Sequence, residues 1–475
     1  RRPCANKCRR SHRPAVGLPS SPRRIIPRVT DERAQKVLPY ALFVLFALAA
    51  IAPVRNYDFF WHLATGRWIV EHRALPVADP FAIASDKHAW VNGEWLFEVV
   101  AHSAQQVVGL AGMSVVRALL AAAIFVLAFV KTKDVLLTGV AFAGAMQTFD
   151  LRPSSAAMLF VVLAIAARGW ITHAVIAALW INVHPSALLA PGIALLVTRR
   201  PWPVLASAIG LLANPYGWRA IASPLELMSF VQSGAFVNAE WLPSRVAQFP
   251  LLYLLVLGGA VAFAVKREEW WRALLFAGFA YLAIRHVRNQ PLFFAAFPLL
   301  VPRFALRKAI AYAAAAAAIV LVAVTTDHRL AVAPERFPLE AVARLKASGL
   351  QGNIYNPDQF GGFVIWSFYP ERRALTDGRN ELYRNYIPEY ARARGDQRAW
   401  RALLKKYAID LAVDEHRAPL PVLDAATGQR RELPASLVYW PKKDWAMLAA
   451  DEAGMVFARR AAFAPDVIAR WEMPR

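Results

Sequence analysis

The sequence predicts a mostly α-helical, polytopic membrane domain followed by a small α/β domain outside the membrane. Three features predict it. Of the 475 residues, 57% are hydrophobic, more than an ordinary soluble enzyme carries. Uncharged apolar runs recur along the first two thirds, each near the roughly 20 residues that a helix needs to cross hydrocarbon. From about Asp327 those runs stop, and helix and strand patterns alternate instead.

Residues 1–36 form a basic tail with 11 Lys/Arg against 2 Asp/Glu. Its Cys4 and Cys8 lack the second ligand pair of a zinc site, and it has no aromatic residue to stack on a base. The net charge of +22 therefore does not imply a nucleic-acid partner. The tail abuts an apolar run and reads as a cytoplasmic anchor against anionic membrane lipid. It does not end in the small-residue cleavage site of a signal peptide.

The membrane domain is expected over 37–326, with apolar segments at 37–54, 110–130, 135–149, 153–167, 169–183, 186–198, 201–213, 250–265, 270–284, 290–302 and 309–326. Several of these eleven are shorter than the ~17 residues of a full span and are expected to be half-helices or re-entrant pieces. With the tail inside, alternation also puts Lys131, Lys133, Arg168, Arg199, Arg200, Lys266, Arg303 and Lys308 inside, as the positive-inside rule requires. The expected protein is thus multi-pass in the inner (cytoplasmic) membrane. Loops 55–109, 150–152, 184–185, 214–249 and 285–289 lie outside, as does a soluble extracytoplasmic domain, 327–475. In that domain "GNIYN", "ERRALTDG", "DLAVDEH" and "EAGMVFARR" read as strands, and "EYARARGDQRAWRALLKKYAI" reads as one amphipathic helix.

Nearly every residue fit for chemistry falls in the outer loops, which points to a site on that face. In the long first loop, "FFWHLATGRWIVEH" and "GEWLFEVVAHSAQQVV" have helical spacing and read as helices lying in the interface, with Trp61, Trp68, Trp95 and Phe97 as an aromatic belt. Asp58 and His62 share one helix face; Glu94, Glu98 and His102 share another. These lines suit a divalent metal or a phosphate-bearing lipid, or are simply wetted faces. Asp150 and Arg152 form the short turn "FDLRP", as a site or as a plain ion pair. Arg117 sits two turns inside its segment, snorkelling or lining a polar pocket. His184 and Glu240 also lie outside, and Arg285 and Arg288 in "RHVRNQP" offer planar donor forks for a phosphate, or headgroup contacts. Acids for activation, arginines for a phosphate leaving group and aromatics at the bilayer surface together fit group transfer from a lipid-linked phosphate donor.

This arrangement resembles the GT-C superfamily of glycosyltransferases, which includes the oligosaccharyltransferase catalytic subunit, the protein mannosyltransferases and the aminoarabinose transferase. Asp58 in "YDFFWH" matches the family's first-loop acid, and Asp150 in "FDLRP" matches an acid of its second outer loop. The resemblance implies a polyprenyl-phosphate lipid donor. The family often has an acid pair in the second loop where this chain has one, so a divalent metal ion on Asp58 and Asp150 stays an open expectation. More closely, "YDFFWHLATGRWIVEHRALPVADPF", "WVNGEWLFEVV", "RPSSAAMLF", "NPYG", "AEW" and "RNQPLF" resemble a group of uncharacterised bacterial polytopic membrane proteins. "NPDQFGGFVIWSFYPERRALTDGRN" is similar in layout to the Trp-Trp-Asp motif region of the oligosaccharyltransferase. Asp358 matches the motif's Asp, or merely caps a helix. Asn356 and Pro357 replace the two tryptophans, so peptide recognition is not implied.

The expected activity is sugar transfer, with Asp58, Glu94, Asp150 and Glu240 as catalytic acids. Arg117, Arg152, Arg285 and Arg288 would hold the donor phosphate, supported by His62, His184 and Asp358. The alternatives are a noncatalytic assembly protein whose C-terminal domain binds an envelope protein, and a lipid or solute transporter.

Overall fold

A computed structural model describes residues 29–474 apart from 233, 235–238, 267–268, 305 and 424–428. Most of the basic tail expected at 1–36 lies outside the described residues. The first thirteen helices are α1 (Val29–Ala50), α2 (Phe59–His72), α3 (Trp95–Thr132), α4 (Val135–Met146), α5 (Pro153–Ala166), α6 (Trp170–Trp180), α7 (Ala190–Thr198), α8 (Pro201–Gly210), α9 (Arg219–Gln232), α10 (Pro250–Val265), α11 (Trp270–Arg285), α12 (Gln290–Leu300) and α13 (Lys308–Thr325). Every apolar segment read from the sequence falls on a helix. Two of them, Trp95–Thr132 and Lys308–Thr325, are long and apolar enough to cross a membrane.

Local chemistry sets the breaks. Pro153 opens α5, where its missing N–H costs nothing. Asp134 caps α4 by accepting from the Leu137 N–H at 2.9 Å. In α3 the run is interrupted at Gly109, whose φ of 69° and ψ of 176° turn the first half away from the apolar second half. Around these breaks α1 and α13 pack on α3 and α4, α12 on α5 and α11, and α6 on α8. Phe46, Phe125, Phe142, Phe293 and Phe294 fill the space between them.

The C-terminal region adds α14 (Leu339–Ser348), α15 (Asp358–Phe368) and a four-stranded sheet. The strands are β1 (Asn353–Tyr355), β2 (Ile409–Glu415), β3 (Leu420–Leu423), β4 (Arg430–Leu433), β5 (Trp445–Ala450) and β6 (Gly454–Arg459). The sheet order is β1-β2-β6-β5, parallel only between β1 and β2; β3 and β4 form a separate hairpin. The expected strand 371–378 contributes only a parallel bridge from Ala374 to Ala82. The expected single helix over 389–409 is two, Tyr386–Gly395 and Gln397–Lys406, because Asp396 turns extended and caps the second with bonds to the Arg398 and Ala399 amides.

The first loop and this region share one hydrophobic core. Phe59, Phe60, Trp61, Phe81 and Phe97 are buried with Phe337, Phe360, Phe363 and Tyr383. Two backbone bridges join them: Val54 pairs with Val332, and Ala82 with Ala374. Trp61 and Phe97 are therefore not an interfacial belt. A protein surface covers them where the sequence reading placed lipid.

Gly109 supports a prediction. Its conformation lies where only glycine rests without strain, and a Cβ there would meet no neighbour. Gly109→Ala should therefore cost about 1–3 kcal/mol through the backbone alone, read as a lower thermal midpoint of the purified protein. An unchanged midpoint would show that the kink does not need glycine.

Candidate functional site

Between the helix ends and the C-terminal region lies a cavity of about 770 Å³. Asp58, His62, Glu94, Arg152, His184, Glu240, Arg285, Arg288 and Asp358 line it. Six separate chain segments thus bring most of the expected site residues together.

Asp58 stands immediately before α2. The Trp61 Nε1–H donates to its Oδ1 at 3.2 Å, and Arg152 Nη2 lies 3.9 Å from its Oδ2. Against it lies Gly378 of the C-terminal region, where a Cβ would come within 2.6 Å of Asp58 Oδ1. Burial pushes the Asp58 carboxyl up, with Arg152 pulling the other way.

Arg152, just before α5, forks onto Glu240, with Nη2 donating to Oε2 at 2.8 Å and Nη1 to Oε1. Burial alone would raise Glu240, but the Arg152 charge and its hydrogen bonds hold that carboxyl down at about 2. Glu240 is therefore a fixed anion. Arg288 stacks over the Trp241 ring at 4.4 Å, which keeps its guanidinium at the cavity wall.

A second group runs inward from Glu94. His62 Nε2 is 4.0 Å from Glu94 Oε2, and His184 Nε2 is 3.8 Å from Glu94 Oε1. His62 Nδ1 meets Glu98 Oε1 at 3.3 Å, and Glu98 Oε2 accepts from the Asn92 amide at 2.6 Å. Glu98 is fully buried, so burial pushes its carboxyl well up and both histidines well down. Glu94 rises to about 8, mainly by burial, with Arg288 opposing and Asp58 adding to it. His102, expected beside Glu98, points elsewhere and its Nδ1 has no hydrogen-bond partner.

Two expected residues lie apart. Asp150 accepts from the Arg55 and Leu151 amides at 3.1 and 2.7 Å and faces Arg117 Nε at 3.6 Å. Arg117 spends its Nη groups on the Ala50 carbonyl and, at 2.6 Å, the Phe149 carbonyl. Both line a neighbouring cavity of about 680 Å³. Arg117 is thus tied to the ends of α1 and α4 rather than free for a phosphate. Asp58 and Asp150 face different cavities and do not form one donor set for a metal ion. Among the described residues no group of three or more His, Cys, Asp or Glu is disposed to hold one.

Several site residues gave little signal in the sequence. Arg379, Asn380, Glu381 and Arg336 line the cavity from the C-terminal region. Arg379 is buried, donating through Nε to Asp377 Oδ1 at 2.8 Å and through Nη2 to Asp377 Oδ2, with Asp79 Oδ1 at 3.0 Å. Trp90 lies 4.7 Å from its guanidinium, and the Tyr383 hydroxyl donates to Asp377 at 2.6 Å. "TDGRN" was legible only as a turn. Asp358 is the first residue of α15; its carboxyl lines the cavity, pushed up by burial with the Gln359 backbone N–H pulling the other way.

No family model and no curated protein sequence matches the chain. Solved structures do. The oligosaccharyltransferase of Archaeoglobus fulgidus in its apo form superposes with a TM-score of 0.55 at 9% identity, covering 84% of this chain and 75% of that one. The archaeal oligosaccharyltransferase AglB from Archaeoglobus fulgidus, in complex with an inhibitory peptide and a dolichol-phosphate, gives 0.53 at 10% identity over 84% and 74%. The form tethered to an acceptor peptide gives 0.51 at 9% identity over 85% and 74%. This likeness is one of fold.

Arg379→Met should leave two buried carboxylates without a cation and cost about 3–5 kcal/mol. Limited proteolysis should then cut the first loop earlier than in the parent. Equal resistance would show that Arg379 does not hold the two parts together.

Proposed function

We propose that the chain is a membrane glycosyltransferase that moves a sugar from a polyprenyl-phosphate-linked donor to an acceptor on the outer face of the cytoplasmic membrane. The observation that carries this reading is the single cavity holding the acids Asp58, Glu94 and Glu240 opposite Arg152, Arg285 and Arg288. Fixed arginines there stabilise the charge that grows on a departing phosphate, and the acids serve the acceptor side. Asp58 is the central acid of this reading. It lies beside Arg152, and Gly378 closes over it.

The fold shared with the archaeal oligosaccharyltransferase supports a glycosyl donor, and the dolichol-phosphate bound to that enzyme supports a lipid-linked one. Membrane placement rests on the apolar helices and on side chains such as Leu254, Leu257 and Val324, which stand more than half exposed on outer helix faces. In this reading eleven segments sit in the membrane, some as partial spans, with the N-terminus inside and the C-terminal region outside. No step is routed through a metal ion.

Asp58→Asn tests the reading. The variant should accumulate and fold normally, while the glycan or glycolipid that depends on the protein falls at least about 100-fold in the host envelope. A full glycan profile with the variant would sink the assignment of Asp58 as the central acid.

A further inference from the structure

Resting on that reading, we propose that Glu94 is the proton acceptor of the transfer, held for that task between the Nε2–H groups of His62 and His184.

The hydrogen bonds decide where each imidazole carries its hydrogen. His184 Nδ1 lies 3.1 Å from the Ser186 backbone N–H, which donates to it. The Ser186 hydroxyl, 2.8 Å away, accepts from Trp180 Nε1 at 3.1 Å and so has its own hydrogen to give to the same nitrogen. With Nδ1 an acceptor, the hydrogen of neutral His184 is on Nε2, facing Glu94 Oε1. On the other side Glu98 is sealed from solvent, and its Oε2 is occupied by the Asn92 amide. Burial pushes that carboxyl well up, which favours the hydroxyl form that donates from Oε1 to His62 Nδ1. His62 therefore also carries its hydrogen on Nε2, facing Glu94 Oε2. Each carboxylate oxygen of Glu94 thus faces one imidazole N–H. Among the described residues no side chain makes a hydrogen bond to it shorter than those two approaches, so its lone pairs stay open to a substrate.

The other acids are less suited. Glu240 is spent on Arg152, Asp150 faces another cavity, and Asp58 is held by Trp61 beneath Gly378. The charged and titratable groups around Glu94 are Asp58, Arg152, Arg288, Glu381, His62 and His184. In the transfer, the acceptor's nucleophilic X–H gives its proton to Glu94 as X bonds to C1 of the donor sugar. The C1–O bond to phosphate breaks, and its electron pair leaves with the phosphate toward Arg152 and Arg288. Glu94 then releases the proton to water. His62, with Glu98 behind it, and His184, with Ser186 behind it, are positioning residues.

The test uses the full chain in phosphatidylethanolamine–phosphatidylglycerol nanodiscs without substrate. Infrared titration should show a protonated carboxyl band that disappears as pH rises through about 8 in the parent and is missing in Glu94→Gln. Glu98→Gln should move that transition, because it changes what His62 presents to Glu94. In host membrane vesicles, transfer should fall about tenfold per pH unit below the transition, where Glu94 is protonated and cannot accept. The envelope glycan should drop at least about 100-fold in Glu94→Gln. A band titrating at about 8 that persists in Glu94→Gln, or a full glycan made by that variant, overturns the assignment. A glycan lost in Glu94→Gln but intact in Asp58→Asn supports Glu94 and removes Asp58 from its proposed place.

Discussion

The Arg379 guanidinium, buried between the carboxylates of Asp377 and Asp79 and walled by Trp61, Phe81 and Trp90, is the contact on which the packing of the first loop against the C-terminal region depends. Three charges taken out of water are costly unless each is paired, and here the pairing crosses two distant stretches of chain. Asp79 belongs to the first loop and accepts the Phe81 and Ala82 amides; Asp377 belongs to the C-terminal region and accepts the Tyr383 hydroxyl. With Arg379 seated between them, the adjoining Gly378 can settle only against Asp58. The position of Asp58 is therefore tied to an ion cluster built from two distant stretches of chain.

Around the cavity, similar carboxyl groups are driven to different states by their neighbours. Arg152 holds Glu240 ionised, burial raises Glu94 to about 8, and burial also pushes Glu98 well up. Separation of this kind is what acid–base chemistry needs from groups of one chemical type. Asp150 illustrates the opposite case. Two backbone amides and Arg117 occupy it, and its work is to tie the segments that follow α1 and α4 to the middle of α3.

Hydropathy made the helices legible, because the apolar runs at 135–149 or 309–326 state their own period and length. The charge alternation also grouped Asp58, Glu94, Arg152, His184, Glu240 and Arg288 on one side, and the fold does gather them around one cavity. What the sequence hid was long-range pairing. Nothing in "VADP" or "TDGRN" announces that Asp79 and Arg379 meet, since each reads locally as a turn. Trp61 and Phe97 had the composition of an interfacial belt, and only the partner surface around Phe337 and Phe363 shows that they are core. The expected strand at 371–378 failed for a related reason. Its hydrogen bonds go to the first loop at Phe81, Ile83 and Ala84 instead of to a sheet neighbour.

The bridge between Val54 and Val332 also bears on how the protein is made. The chain leaves α1 at Val54, yet the strand partner and the aromatic residues that cover Phe59, Phe60 and Trp61 come from beyond residue 331. During synthesis the first loop emerges with its apolar side chains uncovered and stays so until nearly the whole of the polypeptide has followed. Packing of this region is therefore completed late, and a chain interrupted after α13 would leave those apolar side chains uncovered.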